Sequence, residues 1–155
     1  NIMLNIVVNP NQILRKKAEK IKDPLSSDVQ KLIPEMIETM LVKDGIGLAA
    51  PQIGKSIRIV VIHHKDRDLV MINPKIVRKS LIKEWDEEGC LSVPEVFGDV
   101  KRCKKITVKY IDESGKEQIL SGEGLLARVI QHEVDHLDGV LFIDKAKNLR
   151  RIENE

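Results

Sequence analysis

Apolar residues recur three or four positions apart between residues 28 and 43, which is the spacing of one face of a helix. These residues are Val29, Leu32, Ile33, Met36, Ile37, Met40 and Leu41. Ser26 or Ser27 is suited to cap the start of this helix. Because proline inside a helix removes a backbone hydrogen bond, Pro34 predicts either a kink or a later start.

Shorter stretches have the composition and alternation of β-strands. Residues 57–63 (IRIVVIH) form an apolar run typical of a buried strand, and residues 69–73 follow as a second strand after a charged turn. Residues 106–110 alternate between apolar and polar positions. The turn-like sequence ESGK separates them from the apolar pair Ile119 and Leu120, which predicts a hairpin.

The segment from Gly122 to Leu137 predicts the last long helix, and Gly139 is suited to end it. Apolar residues cover most of its surface and leave only a narrow polar strip. That strip consists of Arg128, Gln131 and Asp135. The helix is therefore predicted to be mostly buried.

The order of these elements predicts the fold class. An N-terminal helix is followed by several strands with antiparallel connections and then by the buried helix. This order is typical of an α+β fold in which antiparallel or mixed sheets pack around a central helix. No repeat or composition shift divides the chain, so residues 1–155 are expected to form a single domain.

Composition narrows the classes of function. With 42% hydrophobic and 32% charged residues the chain is suited to a folded core, and its net charge of +2 predicts neither nucleic-acid binding nor a membrane surface. No apolar run approaches the roughly 20 residues needed to cross a bilayer. Two cysteines are too few for a disulfide scaffold. The expected location is the cytoplasm.

The last helix carries the most specific chemical pattern. At about 100° per residue, His132 and His136 project within about 40° of each other, and Glu133 lies near the same face. A lone buried histidine is commonly a packed core residue. Two histidines four apart, with an acid after the first, supply two nitrogen ligands and a base, as in zinc proteases. The pattern favours a metal site.

A catalytic ion needs a third protein ligand, and spacing alone leaves its identity open. Cys90 is the better candidate, although it lies far upstream. Downstream candidates are Asp144, Glu153 and Glu155, which are poorly placed for the pattern of thermolysin-like enzymes. Two alternatives follow: a zinc endopeptidase with a downstream ligand, or a non-enzymatic module in which four protein ligands hold a structural ion.

Three segments together resemble the signature motifs of the peptide deformylase family in order and separation. They are GIGLAAPQ (residues 45–52), EGCLS (residues 88–92) and QHEVDHL (residues 131–137). Further likeness lies in ILR (residues 13–15), INP (residues 72–74) and the stretch 105–144. The resemblance spans nearly the whole chain. It implies an enzyme that hydrolytically removes the formyl group from formyl-methionine at the start of new proteins.

The resemblance also implies the metal ligands. They are Cys90, His132 and His136, with water in the fourth position. One thiolate and two imidazoles suit zinc, iron(II), nickel or cobalt. The family favours one divalent ion, Fe(II) in the cell, with Zn(II) or Ni(II) in purified protein.

Three residues are implied as catalytic. Glu133 is the general base that takes the water proton and delivers it to the leaving amine. The side-chain amide of Gln52 and the backbone N–H of Leu91 are the donors to the oxyanion.

The implied substrate is an extended formylated peptide whose methionine side chain enters an apolar pocket. The implied substrate-binding residues are Gly45, Ile46, Gly47, Gly89, Leu125 and Val129. The glycines leave room for the peptide to pair with backbone. Leu125 and Val129 are equally well explained as part of an amphipathic core stripe.

Charged residues near the motifs carry further expectations. Asp86 and Arg128 stand where relatives can have apolar pocket residues. Arg128 is expected at the pocket rim, where it pairs with a substrate carbonyl or with Asp86. Glu88 and Arg102 are interpreted either as an ion pair near the metal loop or as a solvated pair.

Partners follow from the same resemblance. The enzyme is expected to act as a monomer on N-formylmethionyl nascent peptides, without nucleic-acid specificity and without a membrane. Only a short segment follows Asp144, where relatives often carry a longer basic helix, so any ribosome contact is expected to be weak. The implied location is the cytoplasm of a bacterial-type or organelle-type translation compartment.

Overall fold

The computed structural model describes residues 4–152, in which two helices and eight strands are formed. The helices are α1 (Ser27–Val42) and α2 (Leu125–Leu137). The strands are β1 (Gly47–Ala49), β2 (Ile59–His64), β3 (Arg67–Lys79), β4 (Lys83–Cys90), β5 (Val93–Cys103), β6 (Lys105–Ile111), β7 (Glu117–Glu123) and β8 (Lys147–Arg151). Short 3-10 turns lie at Gln12–Arg15, Ala50–Ile53 and Phe142–Asp144.

Two antiparallel sheets organise these strands. The larger has the order β1-β2-β3-β6-β7 and the smaller has the order β4-β5-β8. Both helices pack against the larger sheet, and α2 also contacts β5 of the smaller one. The predicted α+β class is confirmed.

The apolar run of β2 is buried on both faces because it lies between the two helices. Val60 and Ile62 belong to the core cluster that includes α2, whereas Ile59 and Val61 belong to the cluster that includes α1. Successive side chains of a strand point to opposite faces, so an uninterrupted apolar sequence is expected of a strand sandwiched in this way.

Helix α1 begins where the sequence predicts it. The side chain of Ser26 accepts a hydrogen bond from the backbone N–H of Val29 at 3.3 Å, which confirms the predicted cap. Pro34 lies inside the helix, so the alternative of a later start is wrong. The apolar face contributes several buried side chains, among them Met36 and Met40 at 0% exposure. Their burial outweighs a proline cost of about 3 kcal/mol.

Helix α2 begins three residues later than predicted. Gly122 and Glu123 still belong to β7, and Gly124 turns the chain with a φ of +61°. The predicted end is confirmed, since Gly139 has a φ of +76° and donates its N–H to the carbonyl of His136. The helix is mostly buried, as predicted, and two members of its polar strip, Arg128 and Gln131, are buried as well.

The β4–β5 hairpin and β8 were not predicted. The first five residues of β4 are exposed and mostly charged, so no hydrophobic alternation marks the strand. After Asp144 the chain forms the exposed strand β8, which pairs with β5. Within residues 4–152, neither helix has the length and apolar character that a membrane span requires.

Candidate metal centre

A cleft of about 550 Å³ lies between the start of β1, the end of β4 and helix α2. Its lining includes all six predicted substrate-binding residues, namely Gly45, Ile46, Gly47, Gly89, Leu125 and Val129. Gln52, Cys90, Leu91, His132 and Glu133 line the same cleft. His136 lies behind them at 1% exposure. The structure thus brings every residue of the predicted site into one place.

Three ligand atoms converge at the inner end of this cleft. The Sγ of Cys90 is 3.3 Å from Nε2 of His136, and Nε2 of His132 is 3.2 Å from Nε2 of His136. All three ligand atoms lie within 4.8 Å of one another. Tetrahedral zinc with ordinary bond lengths separates two nitrogens by about 3.3 Å and nitrogen from sulfur by about 3.6 Å. The cluster is therefore able to hold a metal ion.

The two imidazoles differ in their affinity for a proton. Burial alone lowers the pKa of His132, but hydrogen bonds to Cys90 and Glu88 outweigh burial and raise its pKa to about 10. Burial lowers the pKa of His136, and the charge of His132 lowers it further. A metal ligand must be deprotonated, so a cation that binds here replaces the proton on His132.

Glu88 fixes the orientation of His132. Its Oε1 accepts hydrogen bonds from Nδ1 of His132 at 2.8 Å and from Arg102 at 2.9 Å. Its Oε2 accepts from Arg102 at 2.9 Å and from Arg128 at 2.6 Å. Burial alone raises the pKa of Glu88, but hydrogen bonds from His132 and Arg102 hold it well below its ordinary value of 4.5. The ionised carboxylate therefore points Nε2 of His132 toward the cluster.

Glu133 lines the cleft and has a buried carboxylate. The residue is 4% exposed, and its Oε1 has no hydrogen-bond partner within residues 4–152. Burial raises its pKa to about 7, although the charge of His132 opposes that rise. The other oxygen lies against Gly47, where an added Cβ would be 2.5 Å from Oε2 of Glu133. A glycine in β1 thus makes room for this carboxylate.

Gln52 is a buried amide rather than a surface residue, since it is 2% exposed. Its Oε1 accepts a hydrogen bond from the backbone N–H of Ala49 at 2.9 Å. Its Nε2 donates to the hydroxyl of Ser92 at 3.1 Å and to the Sγ of Cys90 at 3.5 Å. These bonds fix the amide with its N–H groups toward the Cys90 side of the cleft.

Two apolar residues of α2 separate into different environments. Val129 is 6% exposed and contributes both to the core cluster and to the lining of the cleft, and its contact with substrate stays a prediction. Leu125 is 60% exposed at the mouth of the cleft. Ile46 lies there too, at 49% exposure. These apolar side chains therefore form part of the cleft wall and its lip, beside the polar residues of the metal cluster.

The rim position and the Asp86 partner predicted for Arg128 are wrong, whereas pairing with a substrate carbonyl stays a prediction. Arg128 is 7% exposed and donates to Glu88 and to two backbone carbonyls, instead of lying at the rim and pairing with Asp86. The reason is that Glu88 carries a buried negative charge within reach, and burial of that charge requires strong donors. The pair of Glu88 and Arg102 is buried for the same reason, so the solvated interpretation fails.

Among the downstream ligand candidates, the described residue Asp144 does not join the cluster. Asp144 forms an ion pair with Arg15 and accepts from the backbone N–H of Leu141. Glu153 and Glu155 lie outside the described residues.

Sequence reasoning missed the role of Glu88 as the partner of His132. A signal was available, because Glu88 and Cys90 are two positions apart on β4 and side chains at that spacing share one face of a strand. Gln131 was also missed: its side chain bonds both the N–H and the carbonyl of Cys103, which joins α2 to the end of β5. Its position in the polar strip gave no indication of this contact.

Comparisons with known proteins agree across nearly the whole chain. The sequence model of the family described as polypeptide deformylase matches residues 3–152. A peptide deformylase of Pseudothermotoga lettingae is 52% identical over 139 residues, which cover 90% of this chain and 80% of that protein. Another, of Desulfitobacterium hafniense, is 44% identical over 146 residues and covers 94% and 96% of the two chains.

Solved structures give the same result. The crystal structure of peptide deformylase from Thermotoga maritima superposes with a TM-score of 0.92 at 43% identity, covering 95% of this chain and 99% of that one. A peptide deformylase from Synechococcus elongatus, solved in complex with actinonin, gives a TM-score of 0.90 at 44% identity, covering 94% and 79%. Sequence and fold therefore indicate one and the same relationship.

Proposed function

Because the chain belongs to the peptide deformylase family and hydrolyses the N-terminal formyl group of new proteins to formate, we propose a role for each residue of the cleft. The observation that carries the assignment is the convergence of Cys90, His132 and His136 beside a buried carboxylate that has an unpartnered oxygen. Members of this family depend on a metal, and this cluster supplies its ligands.

In this proposal Cys90, His132 and His136 hold one divalent ion. The ion supplies Lewis acidity toward a water molecule and a carbonyl oxygen. Three protein ligands with an open fourth position are typical of a catalytic site, whereas a structural site uses four. Glu88 keeps the His132 ring in the tautomer that directs Nε2 at the ion.

Glu133 is the general base. Its Oε1 accepts a proton from water as the water oxygen forms a bond to the formyl carbon. When the C–N bond breaks, formate leaves and Glu133 returns the proton to the amine of methionine. A pKa of about 7 suits both steps, because proton transfer in each direction is then nearly balanced at neutral pH.

Gln52 and Leu91 stabilise the negative charge that develops on the formyl oxygen. The Gln52 amide is oriented by Ala49 and Ser92, and its second N–H, which contacts the Sγ of Cys90 at 3.5 Å, is the donor in this proposal. The backbone N–H of Leu91 is the second donor in the proposal. Loss of one such donor typically costs about 3 kcal/mol of barrier.

The substrate peptide is proposed to lie along β1. This strand is at the edge of the larger sheet, so its outer side is available for an added antiparallel or parallel strand. Gly45, Ile46 and Gly47 supply the backbone for that pairing. The methionine side chain enters the cleft past Leu125 and against Val129. Gly89 contributes backbone to the lining, and the ring of Phe97 packs against it.

The proposal also covers the identity of the ion, the oligomeric state, the location and the contact with ribosomes. Fe(II) is the ion in the cell, and Zn(II) or Ni(II) replace it in purified protein. Residues 1–155 act as a single-domain monomer in the translation compartment, a bacterial-type cytoplasm or an organelle, where formylated peptides emerge. Ribosome contact is at most weak. Metal analysis after anaerobic purification tests the identity of the ion, and light scattering tests the monomeric state. Co-sedimentation with ribosomes at low and moderate salt tests the ribosome contact.

The reaction is tested by formate release from formyl-Met-Ala. We expect release by the wild-type protein and a loss of about a hundredfold or more in Glu133→Ala, with the metal retained. A zinc endopeptidase would instead cleave internal bonds and keep its metal in Cys90→Ala. A structural metal module would release no formate at all. Absence of formate from metal-loaded wild-type protein contradicts the proposal.

A further inference from the structure

Arg128 is buried beside the metal cluster, and its guanidinium makes three defined contacts. Nη1 donates to Oε2 of Glu88 at 2.6 Å and to the carbonyl of Val100 at 2.9 Å. Nη2 donates to the carbonyl of Glu84 at 2.8 Å. The side chain is 9% exposed, so these protein acceptors rather than water satisfy the charge.

These contacts connect three elements. Arg128 lies on α2, which carries both histidines, while Glu84 lies on β4 and Val100 on β5. Cys90 is the last residue of β4. One guanidinium therefore holds the strand that carries the sulfur ligand against the helix that carries the nitrogen ligands.

Arg128 also completes the coordination of Glu88. An ionised carboxylate has about four acceptor positions. Arg102 occupies two of them, His132 occupies one, and Arg128 occupies the fourth. With every position filled, the carboxylate has no freedom to rotate away from Nδ1 of His132.

We infer that Arg128 is a positioning residue of the metal centre, which sets the orientation of His132 through Glu88 and the distance of Cys90 from α2 through β4. This inference rests on the proposed metal site. It differs from a substrate-binding role, because the three contacts of the guanidinium are made to the protein. It also differs from a general stabilising role, because it predicts an effect on the bound ion itself.

The test is the rate at which the metal-loaded enzyme loses its ion to a chelator, measured for Arg128→Met and Arg128→Lys. Loss of a partner that orients a ligand typically weakens metal binding tenfold to a hundredfold. We expect transfer of zinc from Arg128→Met to be faster by that factor. Arg128→Lys keeps one charge but cannot bridge Glu88 and two carbonyls, so we expect an intermediate rate.

A spectroscopic measurement separates positioning from folding. In the cobalt-substituted protein we expect the thiolate-to-cobalt band to shift or weaken in both variants, because the sulfur and the imidazole of His132 are no longer held. Arg58→Met is the matched control. Arg58 is another arginine that contacts the end of α2, and its side chain is 11% exposed. It donates to the carbonyl of Leu137 and to Asp138, with no hydrogen bond to Glu88 within residues 4–152.

The control is expected to lower the thermal midpoint but to keep the wild-type rate of zinc loss and the wild-type cobalt spectrum. If both Arg128 variants release zinc at the rate of Arg58→Met and share its spectrum, the inference about Arg128 is overturned. If the wild-type protein binds no ion tightly and releases no formate, the proposed function fails instead. The two failures are thus distinguishable.

Discussion

At the scale of single residues, the close contact between Gly47 and Glu133 explains how the base is held. The carboxylate is buried, and two effects on its pKa oppose each other. Burial raises the pKa, and the charge of His132 lowers it. The position of the carboxylate depends on the space that the neighbouring backbone leaves for it. Because Gly47 has no Cβ, the carboxylate lies directly against β1, on the side where the substrate is proposed to pair.

We therefore predict that Gly47→Ala lowers kcat by roughly tenfold to a hundredfold while the metal content stays at the wild-type level. An added Cβ would be 2.5 Å from Oε2 and 2.9 Å from Cδ of Glu133, so the base must move. A displacement of about 1 Å is enough for such a loss. Steady-state kinetics on a formyl-Met peptide, with metal analysis of the same sample, measure both quantities.

The matched comparison is Gly45→Ala, whose Cβ would be 3.1 Å from the end of the flexible Leu91 side chain and at ordinary van der Waals distances of 3.5 and 3.6 Å from the carbonyl oxygens of Gly47 and Met40. A smaller loss of kcat is expected there. Equal losses in the two variants would show that the contact with Glu133 has no special importance.

The types and spacing of residues in the sequence predicted a metal site, but they did not predict which side chains surround it. His132, Glu133 and His136 are recognisable because helical geometry fixes their relation within one turn. Arg128 and Glu88 meet only because α2 packs against the β4–β5 hairpin, 40 residues away in sequence. No local spacing rule expresses that contact, so the rim location predicted for Arg128 was wrong.

At the scale of elements, the end of α2 is fixed by its contact with the N-terminal segment. Gly139 has a φ of +76°, and an added Cβ would be 2.5 Å from the carbonyl oxygen of Arg15. The neighbouring backbone cannot yield as a flexible side chain does. The position of the helix that carries both histidines thus depends on a glycine three residues beyond His136.

We predict that Gly139→Ala lowers the free energy of unfolding by more than the roughly 1–2 kcal/mol that a left-handed alanine costs. Gly54→Ala is the control. Gly54 has a similar φ of +81°, but its Cβ would meet only Val7 at 3.9 Å. Urea unfolding of both variants checks the difference, and equal costs would contradict the role given to the Arg15 contact.

The elements that the sequence predicted are those with a strong hydrophobic period. Helix α1 and strand β2 both contain closely spaced apolar residues that the fold buries. Strand β4 is different, because its first five residues are exposed and its partner β5 is joined through a bulge near Cys90. Hydrogen bonding to β5, rather than burial, defines this exposed part of β4, so periodicity did not reveal it.

At the scale of the whole molecule, Glu88 couples folding to pH because it connects α2, β4 and β5. Burial alone raises its pKa, yet hydrogen bonds from His132 and Arg102 hold the pKa well below 4.5. Below the ordinary pKa, the Glu88 carboxylate takes up a proton in the unfolded chain, whereas in the folded chain it stays ionised to a lower pH. The stability that Glu88 contributes is therefore present above about pH 4.5 and lost as pH falls.

We predict that the free energy of unfolding falls more steeply with decreasing pH in the wild-type protein than in Glu88→Gln. The difference in slope approaches the value for one proton, about 1.4 kcal/mol per pH unit, between pH 3 and pH 4.5. Urea unfolding in chelator-containing buffers measures both slopes without a contribution from metal release. Identical slopes would mean that Glu88 is not held ionised.

The candidate site as a whole was predictable only through the three signature motifs taken together. They are up to 92 positions apart along the chain, and the larger sheet, the β4–β5 hairpin and α2 each supply one of them. Spacing alone did not decide whether Cys90 or one of the downstream acids is the third ligand. In the structure the Sγ of Cys90 lies within 4.8 Å of the ligand nitrogens of both histidines, whereas Asp144 pairs with Arg15.

The central claim is that one sulfur and two imidazole nitrogens bind a single ion. X-ray absorption at the zinc edge of the zinc-loaded enzyme measures this directly. We predict one sulfur at about 2.3 Å, two imidazole nitrogens at about 2.0–2.1 Å and one further light atom, with the sulfur contribution lost in Cys90→Asp. A wild-type spectrum without sulfur, or with four protein ligands, would contradict the account.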